Sequence, residues 1–340
     1  MPTGLTLIDS SGSREHQRIH NMHKILGIGT PVIDYFLFVT EDFIQEFAGK
    51  RGGSAIVDHR SFTRILAQTS DQPICITGGS SANTLKGLAR LGHNCTIIGR
   101  IGNDPAADRF EETIEAHGIT PHLTRSNKPT AQSACLLSPC GDRTMRTFLG
   151  AGADLIPSDL HPDQFKGVDI VHIEGYLLAN PPVVKRAMEL AKEAGAVISF
   201  DLSSFEIIEQ FRKPVIDTLS SYVNIVFANA DETKLLTNLS PEKGCVILKD
   251  LSETAIVKVG AEGCWAAQGI DKVFCPAIPV NVVDTTGAGD LFASGFLHGM
   301  MQSKPLMECT RYGTLVASNV IQVIGAEIPP TTWDLIKKSM

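Results

Sequence analysis

The sequence predicts an α/β protein: a mostly parallel central sheet with helices on both faces, plus a small β-rich appendage. Three observations carry that expectation. After residue 150, the strand-like runs Ile170-Val171-His172-Ile173, Val197-Ile198-Ser199-Phe200, Ile225-Val226-Phe227 and Ala255-Ile256-Val257-Lys258-Val259 alternate with helical stretches such as 182–194 and 231–237. Strands alternating with helices argue for a parallel sheet covered on both sides. Before residue 150 the pattern is different: Ser133–Leu137 and Thr144–Leu149 flank Gly141-Asp142, which reads as a hairpin. Finally, 340 residues at 43% hydrophobic and 20% charged content can bury a large core.

The chain begins with a polar stretch, 1–22, rich in Ser, Arg and His. It lacks the apolar core of a secretion signal and is expected to be a flexible tail, with Met22 as an alternative start. Residues 23–340 are expected to form one α/β domain. Lys24 to Asp34 reads as a first, continuing strand. Its Gly27-Ile28-Gly29 imitates a dinucleotide fingerprint, but Val32 stands where the third glycine belongs, and Pro31-Val32-Ile33 favours strand over helix. Residues 35–77 alternate apolar patches with polar turns, including Gly49-Lys50-Arg51-Gly52-Gly53. The short strand Ile74-Cys75-Ile76 runs into Gly78-Gly79-Ser80-Ser81-Ala82-Asn83. A helix follows, with Ala82, Leu85, Leu88 and Ala89 near one face and Gly92 at its end. The 78–82 string approaches a nucleophile elbow, but Ala82 replaces the last glycine and nothing else supports a hydrolase triad. Cys95–Gly99 reads as a strand, and 310–323 as a buried helix. The appendage is drawn mainly from 35–77 and 130–149.

Bulk properties exclude several classes. A net charge of −7 without a long basic run speaks against nucleic acid or an anionic membrane as partner. No apolar stretch approaches the ~20 residues of a membrane span. The eight cysteines are scattered without a C-x-x-C pair, which fits free thiols in a reducing cytoplasm. The ten histidines show no metal-ligand spacing.

One stretch carries chemistry. Ile278–Val283 is mostly apolar and is followed by Asp284-Thr285-Thr286-Gly287-Ala288-Gly289-Asp290 and the apolar run 291–297. The order reads as strand, tight turn, buried helix. Gly287 and Gly289 allow several backbone N–H groups to point at one spot where a helix begins, and such a spot attracts anions. A carboxylate beside an anion site is repelled by its ligand, so Asp290 needs a reason to be there. A base for a hydroxyl that attacks phosphorus is one. A bare tight turn with an N-cap aspartate is the plainer alternative.

The whole Asp284–Asp290 string resembles the C-terminal signature of the ribokinase-like, or PfkB, family of sugar and nucleoside kinases. Gly78-Gly79-Ser80-Ser81-Ala82-Asn83, with Gly99 and Gly102 downstream, is similar to its N-terminal signature. Asn229-x-x-Glu232 resembles the family's N-x-x-E motif, and Gly260-Ala261-Glu262-Gly263 its glycine loop. The resemblance implies a three-layer ribokinase-like fold with a lid, and ATP and magnesium as cofactors. It implies Asp290 as base, Gly287, Ala288 and Gly289 as anion hole, and Arg143 swinging over the phosphates. Asp34, Gly78, Gly79 and Asn83 would hold acceptor hydroxyls. Asn229 and Glu232 would act on magnesium through water. Gly260, Glu262, Gly263, Thr286 and Asn319 would meet the nucleotide, and a monovalent cation, K+ by resemblance, would sit near Asp284 and the 323–326 loop. Plainer roles exist: Asn83 as a cap, Glu232 as a solvated helix charge, Asn319 bonded to its own backbone. Two positions depart from the pattern: Lys258 stands where many members carry a small hydroxyl residue, and Ala106 replaces a common glycine.

Gly78 follows Asp34 by 44 residues. Simple sugar kinases of the family are shorter there, whereas adenosine kinases have a lid segment of similar length, and Glu41–Asp58 looks like their helix-plus-strand lid. A nucleoside must have its flat apolar base covered. Val32, Ile56, Cys135, Leu177 and Phe205 are candidate lining by resemblance, with ordinary core roles as the alternative. The expectation is a nucleoside kinase, adenosine first, with a long-lidded sugar kinase (ribose, fructose or ketodeoxygluconate type) second and a non-catalytic nucleotide- or sugar-binding module as the reading of another class. The protein is expected to be a monomer or homodimer.

Overall fold

The computed structural model describes residues 22–49, 53–69, 72–138 and 143–340, without the side chain of Arg143. In chain order its strands are β1 (Lys24–Ile28), β2 (Val32–Phe38), β3 (Ser54–Ile56), β4 (Ile74–Gly78), β5 (Asn94–Ile101), β6 (Ile119–Arg125), β7 (Ala131–Leu137), β8 (Arg143–Phe148), β9 (Ile170–Glu174), β10 (Val197–Asp201), β11 (Ile225–Asn229), β12 (Thr254–Lys258), β13 (Gly263–Gln268) and β14 (Asp271–Pro276). Nine form one sheet, ordered β14-β13-β12-β11-β10-β9-β1-β5-β6. From β12 to β6 every neighbour is parallel; β13 and β14 are antiparallel. The other five form a second sheet, β3-β8-β7-β2-β4.

The inner strands of the large sheet are buried on both faces because they are mostly apolar and alternate sides. Leu26, Val171, Ile198, Val226 and Ala255 enter one core cluster, and Ile25, Ile97, Ile170, Ile225 and Ile256 the other. Helices Pro181–Glu193 and Phe205–Tyr222 cover the first face; Ser80–Arg90, Pro105–Ala116, Ala288–Met301 and Leu306–Val320 cover the second. The Ser80–Arg90 and Ala288–Met301 helices touch closely, since a Cβ on Gly87 would fall 2.3 Å from Ser294 Oγ. Helix His59–Ala67 lays Phe62 and Ile65 on Leu37, Ala134 and Leu136 of the small sheet.

The structure redraws three expectations. Lys24 to Asp34 is not one strand: β1 belongs to the large sheet and β2 to the small one. The break falls at Gly29–Pro31, where Thr30 N donates to Glu174 Oε1 (2.8 Å) instead of continuing a ladder. The 278–283 run is no strand. Pro279 removes a ladder donor within it, Ile278, Val282 and Val283 are exposed, and Val283 N donates to Ile321 O (2.8 Å). The β13–β14 hairpin was not foreseen. The β7–β8 pair is antiparallel as expected of a hairpin, while its turn, Gly141-Asp142, lies outside the described residues, as do the 1–21 tail and Lys50–Gly52. Among the described residues seven cysteines are free, and no helix is long and apolar enough to cross a membrane.

Candidate active site

Asp290 lies on the first turn of the Ala288–Met301 helix, which Gly287 opens in the left-handed region (φ 73°). Only glycine fits there: a Cβ would also stand 2.6 Å from Ala326 Cβ. The turn is stapled from behind by Asp284, whose Oδ1 accepts from Thr286 N (3.0 Å) and Thr286 Oγ1 (2.8 Å), and whose Oδ2 accepts from Gly325 N (2.8 Å). Ala288 N donates to Thr285 O (3.2 Å), closing the turn.

The second wall is the N-terminus of the Ser80–Arg90 helix. Gly79, its cap, has φ 101°, and a Cβ there would meet Thr30 O at 2.4 Å. Ser80 Oγ donates to Asp290 Oδ1 (2.8 Å), and Asn83 Nδ2 to Asp290 Oδ2 (2.9 Å). Asn83 thus orients the carboxylate, while its own Oδ1 is buried without a partner among the described residues. Asp34 approaches the same turn from β2: a Cβ on Gly78 would lie 2.0 Å from Asp34 Oδ2. The carboxyls of residues 34 and 290 therefore flank one glycine-serine turn.

The third wall is the carboxyl edge of the large sheet, where β9 to β12 end in Glu174, Asp201, Asn229 and Lys258. Asn229 and Glu232 are locked in a reciprocal cap: Asn229 Oδ1 accepts from Glu232 N, and the two Glu232 oxygens accept from Asn229 N and Nδ2, each at 2.8 Å. Glu232 is therefore a buried capping residue, not a solvated charge. Lys258 Nζ donates to Asp201 Oδ2 (3.1 Å), and a Cβ on Gly289 would be 2.8 Å from that ammonium. Glu174 grips the break after β1, accepting from Thr30 N and from Ser81 N (3.1 Å).

Electrostatics follow from crowding. Burial, then Asp201, raise the Asp290 carboxyl to about 6, against the opposing hydrogen bonds of Asn83 and Ser80. Burial and Asp201 likewise lift Glu232 to about 7, and burial lifts Glu174 to about 7. Burial works against charge on Lys258, but Asp201 and Glu232 outweigh it and raise its pKa. Three carboxylates thus face one ammonium, a donor set that suits a cation brought in with a polyphosphate. No group of three or more His, Cys, Asp or Glu among the described residues could hold a metal alone. A magnesium ion here fits only with phosphate and water as further ligands.

The site is not one edge of one sheet, as strand order alone suggested. Asp34 and Gly78 come from the small sheet and Asp290 from a helix. Of the nucleotide set, Gly260 and Glu262 form an exposed turn after β12, followed by Gly263 at φ 128°. Asn319 Nδ2 donates to Leu315 O (2.8 Å) on its own helix, and Thr286 is buried against Asp284. Leu177 is not at the surface: it is packed in the first core cluster, and Val32 and Cys135 are also buried. Ile56 is 65% exposed on β3. Phe205, 44% exposed, lines an open depression of about 820 Å³ with Arg212, Asp231, Lys234, Leu235 and Asn238. The Arg143 side chain lies outside the described residues. Asp201 and Glu174 were missed; each is a lone acid directly after an apolar strand run, the same signal that Asp34 gave.

A three-layer α/β fold with a carboxylate on the first turn of a glycine-led helix is an arrangement suited to phosphoryl transfer to an alcohol group. Residues 53–333 match the pfkB family carbohydrate kinases, and the chain belongs to that family. It is 26% identical over 245 residues to a protein called an uncharacterized sugar kinase in Archaeoglobus fulgidus, covering 71% of this chain and 96% of that one. Among solved structures, it is similar to a probable sugar kinase from Rhizobium etli (TM-score 0.88, 29% identity, covering 93% of this chain and 98% of that one). The adenosine kinase from Sinorhizobium meliloti is equally similar in fold (TM-score 0.88, 28% identity, covering 94% and 99%).

Proposed function

We propose that this kinase transfers the γ-phosphoryl group of ATP to a primary hydroxyl of a nucleoside, with adenosine favoured, by direct in-line displacement. The observation that carries the reading is the shared turn: Asp290, oriented by Ser80 and Asn83, and Asp34 both abut Gly78–Ser80. Asp34 accepts from two acceptor hydroxyls, and the unpartnered Asn83 Oδ1 accepts a third contact. Asp290 takes the proton of the attacking hydroxyl. The N–H groups of Gly287 and Gly289 donate to the phosphoryl oxygens as charge builds there. Asn229 and Glu232 would hold magnesium through water, and when bound it would supply charge neutralisation of the phosphates. Gly260, Glu262, Gly263 and Asn319 form the nucleotide side, and Arg143 is the residue proposed to cover the phosphates. A monovalent cation near Asp284 would have to share oxygens that already accept three hydrogen bonds.

The nucleoside preference rests on the small sheet acting as a lid over the acceptor within one kinase domain. Ser54 N, beside Ile56, donates to Glu206 Oε1 (3.3 Å), beside Phe205. Two exposed apolar side chains, Ile56 and Phe205, therefore stand on elements that touch, as covering a flat base requires. One similar structure is an adenosine kinase, which agrees. The second reading is a sugar kinase, favoured by the polar pair Asp34 and Asn83 and by the relatives called sugar kinases. The free thiols fit a cytoplasmic enzyme.

The test is ADP release over a panel of nucleosides and sugars, with magnesium, and with potassium against lithium. Turnover is expected with adenosine well above ribose, fructose or ketodeoxygluconate. Turnover with a free sugar alone would overturn the nucleoside assignment, and ATP binding with no turnover on any acceptor would favour a binding module.

A further inference from the structure

We propose that Lys258 is a phosphate-contacting catalytic residue, its ammonium acting through the gap that Gly289 leaves in the anion-binding turn. The inference deepens the kinase reading and rests on it. The geometry gives the ammonium a direction. Lys258 ends β12, paired in register with Asn229 of the magnesium-side cap, and its chain reaches across to Asp201 at the end of β10. Gly289 lies against the same ammonium: a Cβ there would stand 2.8 Å from Nζ. A side chain at residue 289 would cover the ammonium; glycine leaves it open beside the amides that receive the phosphoryl group.

An ammonium carries three donors. Asp201 Oδ2 is the one hydrogen-bond partner that Lys258 has among the described residues. Its other two N–H groups can serve a further acceptor. The charge count points the same way. Asp201, Glu232 and Asp290 surround this single cation, so a phosphoryl group entering among three carboxylates would be repelled without it. Asp201 holds the ammonium in place rather than neutralising it fully, and Ser203 N, donating to Asp201 Oδ1 (2.8 Å), fixes Asp201 in turn. Lys258 is then a fixed donor aimed at charge that develops during transfer, complementary to the backbone N–H groups, and it needs no reorganisation when the nucleotide arrives.

The test compares Lys258→Met, Lys258→Arg and Asp201→Asn with the native chain. Turnover with the acceptor found active is expected to fall about 10²-fold in Lys258→Met, the size typical of losing one donor to a transition-state oxyanion. KM for the acceptor should change little, and Lys258→Arg should recover part of the loss. The acid limb of the pH–rate profile should move upward in Lys258→Met, because Asp290 loses a neighbouring positive charge. Independently of any acceptor, calorimetric titration with inorganic tripolyphosphate should show at least tenfold weaker binding to Lys258→Met, and unchanged or tighter binding to Asp201→Asn. Equal tripolyphosphate affinity in native and Lys258→Met protein overturns the proposal. So does turnover within threefold of native, or a loss matched by a fall in folded fraction with binding per folded molecule intact. Were the native chain to bind tripolyphosphate through Lys258 yet phosphorylate no acceptor, the kinase reading and the catalytic role would fail while the phosphate contact stood.

Discussion

Glu327 and Asp290 are both carboxylates set against the Ser80–Arg90 helix, and their surroundings drive them in opposite directions. Burial pushes Glu327 up, but His117 (3.3 Å) and Lys86 (2.6 Å) outweigh burial and hold it down at about 2. Lys86 is buried and also donates to Thr77 O (2.7 Å), so the cluster ties the 325–328 loop to β4 and to the end of the Pro105–Ala116 helix. Asp290 has neutral donors and acidic neighbours instead, and stands at about 6. Glu174 and Glu232 share its condition at about 7. The difference teaches which carboxylates hold this fold and which strain it. A paired acid stabilises above its unfolded pKa; a crowded one costs stability once it ionises. Crowded acids gathered on one rim are where function is expected.

The largest effect that would test this contrast is at Asp290 itself. Asp290→Asn is expected to cut turnover by about 10²–10⁴-fold. It should not cost stability at pH 8. The folded pKa is raised, so the native carboxyl favours the fold while protonated, and that contribution is lost as pH rises through 6. Thermal melts at pH 5 and pH 8 should show the variant's gain over the native chain larger at the higher value. A lower melting temperature at pH 8 would make Asp290 a structural cap and break the contrast.

Lys86→Met should do the reverse. It leaves Glu327 without its closest cation, at an expected cost of about 1–3 kcal/mol, reduced from the value for a fully buried pair because Glu327 is partly exposed. Urea melts should show that cost at pH 7, with turnover per folded molecule little changed. Because the Glu327 pKa is depressed, its contribution is present above about 4.5 and lost only as pH falls through 2, so the deficit should persist down to mildly acidic conditions. A deficit that vanishes between pH 7 and 5 would contradict the pairing.

The pH–rate profile is the next smaller test. With Asp290 as base, turnover should rise about tenfold per pH unit up to about 6 and level above it. A limb near 4 would mean that the bound state relieves the crowding.

How much of this was readable beforehand depends on where the information lies along the chain. Gly287, Gly289 and Asp290 were legible because their geometry is local: one turn, one cap, one helix start. The parallel sheet was legible because each strand repeats the same apolar, β-branched pattern. The Lys258–Asp201 pair was not, since it joins the ends of two strands 57 residues apart in sequence. Glu174, which reaches 144 residues back to Thr30 N, was hidden for the same reason. The break between β1 and β2 was missed because Gly29-Thr30-Pro31 is compatible with extended backbone; the turn away is imposed by the Glu174 contact, not by local preference. The 278–283 run looked like a strand by composition, but a strand needs a partner, and Pro279 removes a donor within it.

The smallest expected effect uses a third kind of carboxylate. Ile56 is 65% exposed, at the end of an edge strand paired only to β8. An aspartate there would be neither paired nor crowded but solvated, so Ile56→Asp should leave stability within about 0.5 kcal/mol. Its effect should appear only when an apolar base packs on β3: a rise of several-fold in KM for a nucleoside, from lost apolar burial and the charge set against the base. KM for ATP should stay near native, because the proposed nucleotide side, residues 260–263 and the 287–290 turn, lies on the other sheet and its helices. Steady-state kinetics with each substrate varied in turn separates the two. Equal loss of both would mean that β3 acts on closure of the whole site rather than on the acceptor, and an unchanged nucleoside KM would remove Ile56 from the lid's lining.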